Sequence, residues 1–214
     1  MAEDPAEPPG GGQGRAGAPQ KGGLAGAPGG EARRRHPGAG VQLRCHDEAR
    51  VGRKGRGARV WFERGVRPEG VLDRRHASAW LHAAVRPGTD GAFALVPTEV
   101  GASAVRAFLD RFATALPGGV HAALPPDGAG WHTAGDIEAP DEVSLVFPPP
   151  CGPRLNPVER VWLLLRGRFL SLRLFAGPDD TIDGCCDARN RLADEPGRIA
   201  SLTDYEYLRP VRTS

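Results

Sequence analysis

From residue 41 onward apolar side chains recur at two different intervals, and the intervals define the expected elements. In VQLRCHDEARV, Val41, Leu43 and Cys45 alternate with polar positions, the period of a strand with one buried face. ARVWFERG, ASAWLHAAVRP and GAFALVPTEV continue the strand-like pattern, and PGTDG between the last two predicts an antiparallel hairpin. In SAVRAFLDRFATAL the interval lengthens. Val105, Phe108, Leu109, Phe112 and Leu116 fall on one helical stripe, which PGG ends. VHAAL and EVSLVF read as two further short strands. From Pro157 the helical interval returns, with Val158, Val161, Trp162, Leu165 and Phe169 on one face, and a last helix is expected from about Asp179 to Leu192. Strands, helix, two strands and two helices in that order predict a mixed sheet covered by helices, an α/β architecture.

The first 40 residues break this pattern. They hold 12 Gly and 6 Pro, no aromatic residue, and only Met1 and Leu24 as larger apolar side chains. So little apolar surface does not offset the entropy of ordering, so residues 1–40 read as a disordered tail and 41–214 as the domain. Arg33, Arg34 and Arg35 within that tail could touch nucleic acid, but the preferred reading is a solvated run. No apolar stretch approaches the ~20 residues of a membrane helix, so no membrane partner is expected. The opening MAEDPAEPPGGG has neither the charged nor the apolar region of a secretory signal. The four Cys, at 45, 151, 185 and 186, show no Cys-x-x-Cys pair, which fits a reducing cytoplasm better than a zinc site or a disulfide framework.

Net charge is only +2, but it is unevenly spread. From Val41 to Arg75 ten Lys or Arg face five Asp or Glu. Arg50, Arg53, Lys54, Arg56 and Arg59 cluster just after Asp47. Such a surface suits phosphates. A solvated hairpin with scattered charge is the alternative.

Three carboxylates stand where expected strand ends and a helix start converge: Asp47, Asp127 and Glu159. Singly each has an ordinary reading. Asp47 is a strand-end residue, Asp127 in PPDGAG a turn residue, and Glu159 the third helical position of a capping box headed by Asn156. Together, oxygen donors on separate elements suit a pair of Mg²⁺ ions, which stabilise both the attacking and the leaving oxygen of a phosphodiester displacement.

DEARVGRKG, DGAGWHTAG, LNPVERVW, RGRFLS and RIASL, in this order, resemble the blocks of bacterial insertion-sequence transposases of the mariner-like DDE superfamily. The resemblance runs from about Val41 to the end. It implies a ribonuclease-H-like mixed sheet flanked by helices, and an Asp, Asp, Glu triad holding two Mg²⁺ ions, with Mn²⁺ as a substitute. It implies DNA strand cleavage followed by strand transfer. By motif the triad is Asp47, Asp127 and Glu159. Asp127 follows Asp47 by 80 positions (127 − 47), and Glu159 follows Asp127 by 32 (159 − 127). His132 of the GWH block is open between contacting DNA or assisting near the metals and a packing or hydrogen-bonding role. Arg160, with Arg166, Arg168 and Arg173, is a further candidate for DNA. Glu48 reads as a surface or salt-bridging residue, and Trp61, Trp80 and Trp162 read as core. The implied partners are DNA, as element ends and target, and a second copy of the chain on that DNA. The implied location is the bacterial cytoplasm, at the nucleoid.

The chain departs from the family pattern at four places. No helix-turn-helix pattern precedes Val41, which implies either a separately encoded subunit or a truncated remnant. Pro125 and Pro126 precede Asp127, and proline removes ladder hydrogen bonds from a strand. Cys151 and Gly152 replace the usual Tyr and Ser, and Arg189 replaces the usual Trp. The competing reading is therefore a catalytically inactive remnant that at most binds DNA or a transposase partner.

Overall fold

A computed structural model of the chain describes residues 30, 32–52, 63–65, 78–98, 100–125, 137–146, 156–171 and 173–209. Six strands are present among them: β1 (Gly40–Leu43), β2 (Cys45–Gly52), β3 (Ser78–Val85), β4 (Ala92–Leu95), β5 (Val120–Leu124) and β6 (Val143–Leu145). The helices are α1 (Ala102–Thr114), α2 (Val158–Leu164), α3 (Pro178–Ala193) and α4 (Arg198–Thr203). A π-helical stretch, Leu165–Leu170, follows α2 directly, and a 3-10 turn, Glu206–Leu208, follows α4.

The strands make two three-stranded sheets, β1–β5–β6 and β2–β3–β4. The first is parallel and the second antiparallel. Only Arg44 separates β1 from β2, and its backbone N–H still donates to Ala123 at 2.9 Å. One run of chain therefore serves both sheets, giving the order β4–β3–β2/β1–β5–β6. The Arg44 guanidinium bonds the Gly91 carbonyl at 3.1 Å and the Gln42 side chain at 2.9 Å, tying this junction to the β3–β4 turn.

The pleat sends alternate side chains to opposite faces. One face of β2 and β3 (Cys45, Ala49, Val51, Leu81, Ala83, Val85) packs on α2, α3 and the C-terminal turns through Val158, Val161, Trp162, Leu165, Cys185 and Leu208. The other packs on α1, where Val105, Phe108, Leu109 and Phe112 meet Ala84, Ala122, Leu124 and Val143. Phe108 and Phe112 are 0% and 1% exposed, so each stabilises the α1 layer by about 1.5–3 kcal/mol. Gly101 precedes α1 with φ 88°, a conformation L side chains rarely adopt, so the entry to this helix depends on glycine.

The expected hairpin, α1, the two short strands and the helix after Pro157 are all present. The single expected first strand is divided at Arg44, because its two parts have different partners. The expected strand ARVWFERG lies outside the described residues except at 63–65, which form a loop and a turn. The helical stripe to Phe169 holds, but its last turn is π-helical. Helix α4 had no counterpart in the sequence reading. The segment assigned to the tail also enters the fold: residues 32–35 form a helical turn, and Ala32 is fully buried.

Candidate catalytic site

On β2, Asp47 points to the face covered by α2, while Glu48 points to the α1 face. A carboxylate only 8% exposed needs hydrogen bonds to offset its lost hydration. Trp162, on α2, donates its indole N–H to Asp47 Oδ2 at 2.9 Å. Trp162 is itself 2% exposed, so this one bond satisfies a buried donor and a buried acceptor together. Glu48 lies opposite His82 in the ladder, with its Oε1 3.9 Å from His82 Nδ1. His46 and His82 pack on the Phe108 ring at 4.7 and 5.7 Å between centroids, which makes the back of this strand aromatic.

The start of α2 is fastened to the same strand. Asn156 Oδ1 accepts the Val158 N–H at 3.1 Å, and Asn156 Nδ2 donates to the His46 carbonyl at 2.8 Å. Pro157, which directly precedes α2, already has helical angles, and the Asn156 side chain before it caps the Val158 N–H. The expected capping box is therefore altered: the Asn156 side chain bonds Val158, and the Glu159 N–H reaches the Asn156 main-chain carbonyl at 3.2 Å. Glu159 is half-buried in the first turn of α2, where the helix dipole favours a carboxylate. The strand residue next to Asp47 and the residue three before Glu159 are thus joined by one hydrogen bond.

Asp47 and Glu159 come from elements that pack together. Asp127 and His132 lie outside the described residues, as do Arg53, Lys54, Arg56 and Arg59. Arg50 is exposed on the α1 face of β2. Arg160 is exposed beside Glu159, its guanidinium 5.6 Å from the Tyr205 ring centroid. Among the described residues no three His, Cys, Asp or Glu group as metal ligands. The donor chemistry of Asp47 and Glu159, two carboxylates on rigid elements, fits a hard divalent cation such as Mg²⁺. Cys45, two positions from Asp47, is buried, and burial pushes its thiol up to about 12.

The sequence reading placed Trp162 in the core and missed its bond to Asp47. The available signal was chemical, since a buried indole N–H needs an acceptor.

Residues 42–182 match the family described as DDE superfamily endonuclease. The chain is 38% identical over 129 residues to an uncharacterized protein, y4pE/y4sA, of Sinorhizobium fredii (strain NBRC 101917 / NGR234), covering 60% of this chain and 96% of that one. Its fold is similar to the solved Mos1 transposase paired-end complex with left transposon end, with a TM-score of 0.56 at 14% identity over 83% of this chain. The chain spans about half the length of that transposase, 55%. This likeness identifies the mixed sheet as ribonuclease-H-like. With the family match covering well over half of its length, the chain belongs to the DDE superfamily of endonucleases.

Proposed function

We propose that the chain is the catalytic domain of an insertion-sequence transposase, in which Asp47, Asp127 and Glu159 hold two Mg²⁺ ions. The observation that carries this reading is the fastening of α2 to β2: Trp162 binds Asp47, and Asn156 binds His46 three residues before Glu159. A catalytic carboxylate pair must keep its geometry within small tolerances, and two buried or half-buried hydrogen bonds serve that end. In this reading residues 41–214 form the catalytic domain and residues 1–40 its N-terminal extension.

A bound pair of divalent cations supplies charge stabilisation for the attacking and leaving oxygens of an in-line displacement. The chain's own part is positional. Trp162 holds Oδ2 of Asp47, and the Asn156–His46 bond ties the start of the helix that carries Glu159 to the strand. Arg50, Arg53, Lys54, Arg56, Arg59, His132 and Arg160 would bind DNA around them. In the first step water forms a bond to phosphorus and the bond to the 3′ oxygen breaks, leaving a 3′-hydroxyl and a 5′-phosphate. In the second step that 3′-hydroxyl attacks a target phosphodiester and displaces its 3′ oxygen. Element ends and target DNA are the substrates, a second copy of the chain the partner on DNA, and a separately encoded helix-turn-helix protein the source of end recognition. No described helix is long and apolar enough to cross a membrane. The bacterial cytoplasm, where the DNA lies, is the proposed location.

The test is a nicking and strand-transfer assay on element-end DNA with Mg²⁺ or Mn²⁺. Asp47→Asn, Asp127→Asn and Glu159→Gln are each expected to abolish cleavage while leaving the fold intact. Cleavage that survives all three substitutions overturns the assignment. Folded wild-type protein that cleaves nothing with either ion supports the inactive-remnant reading instead.

A further inference from the structure

Residues 32–35, read from the sequence as part of a solvated tail, form a turn that lies on the same sheet face as Asp47. Two separate contacts place it. Ala32 is 0% exposed and packs with Val41, Ala123 and Val146. The His36 ring stacks on His121, with centroids 3.7 Å apart and planes 21° from parallel. His121 is 3% exposed, and its Nε2 lies 2.8 Å from Ser144 Oγ.

The face follows from the pleat. Val41 alternates in step with Leu43, Cys45 and Asp47, the last three on the α2 side. Ala122 and Leu124 face α1, so Ala123 between them faces the other way. The turn therefore covers β1, β5 and β6 on the side where α2 and α3 cover β2 and β3. Its direction is also fixed. His36 sits over the start of β5, and Ala32 reaches Ala123 and Val146, near the ends of β5 and β6. From those ends the chain leads on to Asp127 and to Asn156. Arg33 and Arg34, between the two anchors, are exposed.

We propose that Arg33 and Arg34 are phosphate contacts for a DNA strand bound at the face that carries Asp47 and Glu159. This rests on the transposase reading above and names a part of its DNA surface that the motifs do not contain. Arginine suits the task because its charge is permanent and its planar donors match phosphate oxygens. Docking supplies the rest: a cation on an anchored backbone meets the phosphate without first ordering the chain.

The experiment is a titration of the full chain with a fluorescent DNA duplex between 50 and 200 mM NaCl. The variants are Arg33→Ala/Arg34→Ala, the charge-matched control Arg15→Ala/Lys21→Ala, and Ala32→Gln, which crowds the anchor and keeps both arginines. Removing two phosphate contacts is expected to weaken binding roughly tenfold and to make the slope of log affinity against log salt shallower by about 2. Ala32→Gln is expected to weaken binding in the same direction, and the control to bind like wild type. A slope for Arg33→Ala/Arg34→Ala equal to that of the control overturns the inference alone. Wild-type affinity in Ala32→Gln overturns the requirement for docking. A folded wild type that binds no DNA at any salt overturns the inference and the transposase reading together.

Discussion

Trp162 donates its indole N–H to Asp47 Oδ2 at 2.9 Å, a buried bond between residues 115 positions apart. It joins the strand that carries one candidate ligand to the helix that carries another. Trp162→Phe keeps most of the ring volume and deletes the donor. A buried carboxylate then loses a hydrogen bond, which costs about 1–3 kcal/mol. Urea unfolding is expected to show that loss, and Mg²⁺-dependent nicking is expected to fall at least tenfold in protein that remains folded.

Asn156 has two separable duties, the cap on Val158 and the tie to His46. Asn156→Asp keeps an acceptor for the cap and removes the amide donor, whereas Asn156→Ala removes both. The alanine variant is expected to lose about 1–2 kcal/mol in denaturant unfolding. The aspartate variant is expected to keep α2 by circular dichroism while nicking falls, because the helix start is no longer held to the strand.

Gly184 has no room for a side chain. A Cβ built there would stand 2.5 Å from Phe175 Cε1 and 3.1 Å from Arg173 Nη1, and Phe175 is 2% exposed. Alanine would gain up to about 1 kcal/mol of helix propensity in α3. Overpacking a buried ring costs about 1–3 kcal/mol, so the net expectation for Gly184→Ala is a lower melting temperature.

Asp90, in the β3–β4 turn, accepts the backbone N–H groups of Ala200 at 3.0 Å and Gly197 at 2.6 Å, and so holds the start of α4. Those bonds, Ala200's first, hold its carboxyl below the ordinary 3.8. A depressed folded value means that the stabilisation is present above 3.8 and is lost as pH falls through the folded value. Hydrogen exchange in residues 198–203, taken relative to the intrinsic rate at each pH, is expected to accelerate in that acid range. Asp90→Ala is expected to accelerate it already at neutral pH, leaving α1 unchanged.

His121 is held below its ordinary 6.5, first by burial and then by the facing His36, with Glu142 and a backbone bond at Asp141 opposing. The unfolded chain takes up protons more readily, so the contribution is full above 6.5 and is lost as pH falls from there toward the folded value. Exchange of residues 32–36, taken relative to the intrinsic rate at each pH, is expected to rise as pH falls across that window. His121→Phe, which keeps a ring but cannot titrate, is expected to flatten the dependence.

The parts of the fold that the sequence revealed are those with one buried and one wet face. Phe108, Leu109 and Phe112 mark α1 because helix period and burial coincide there. The division at Arg44 left no trace, since alternation runs unbroken from Val41 to Asp47 and only the pairing partner changes. Helix α4 is six residues long with one buried apolar side chain, Ile199, and depends on Asp90 from a distant turn, a tertiary contact no local pattern shows. At the site, Glu159 was legible in the first turn and Asp47 on its strand. The bonds that fix them come from Trp162 and Asn156 across more than a hundred positions, and one-dimensional patterns carry no record of such pairs.

The strand run from Gly40 to Gly52 has a consequence for the order of assembly. Its second part pairs with β3 at separations of 26 (Gly52 to Ser78, 78 − 52) to 40 (Cys45 to Val85, 85 − 45) positions, and β3 pairs with β4 across a short turn. The antiparallel unit therefore forms through nearer contacts than the 80 positions from Leu43 to Ala123 (123 − 43). Its first part must wait for Ala123, which lies beyond that whole unit and α1. Closing a longer loop carries a greater entropic cost, and distant pairings form later. Asp47 is thus expected to be in place before the parallel half that leads toward Asp127. Refolding followed by pulsed hydrogen exchange should protect β2 and β3 ahead of β5, with catalytic competence arriving in the slower phase.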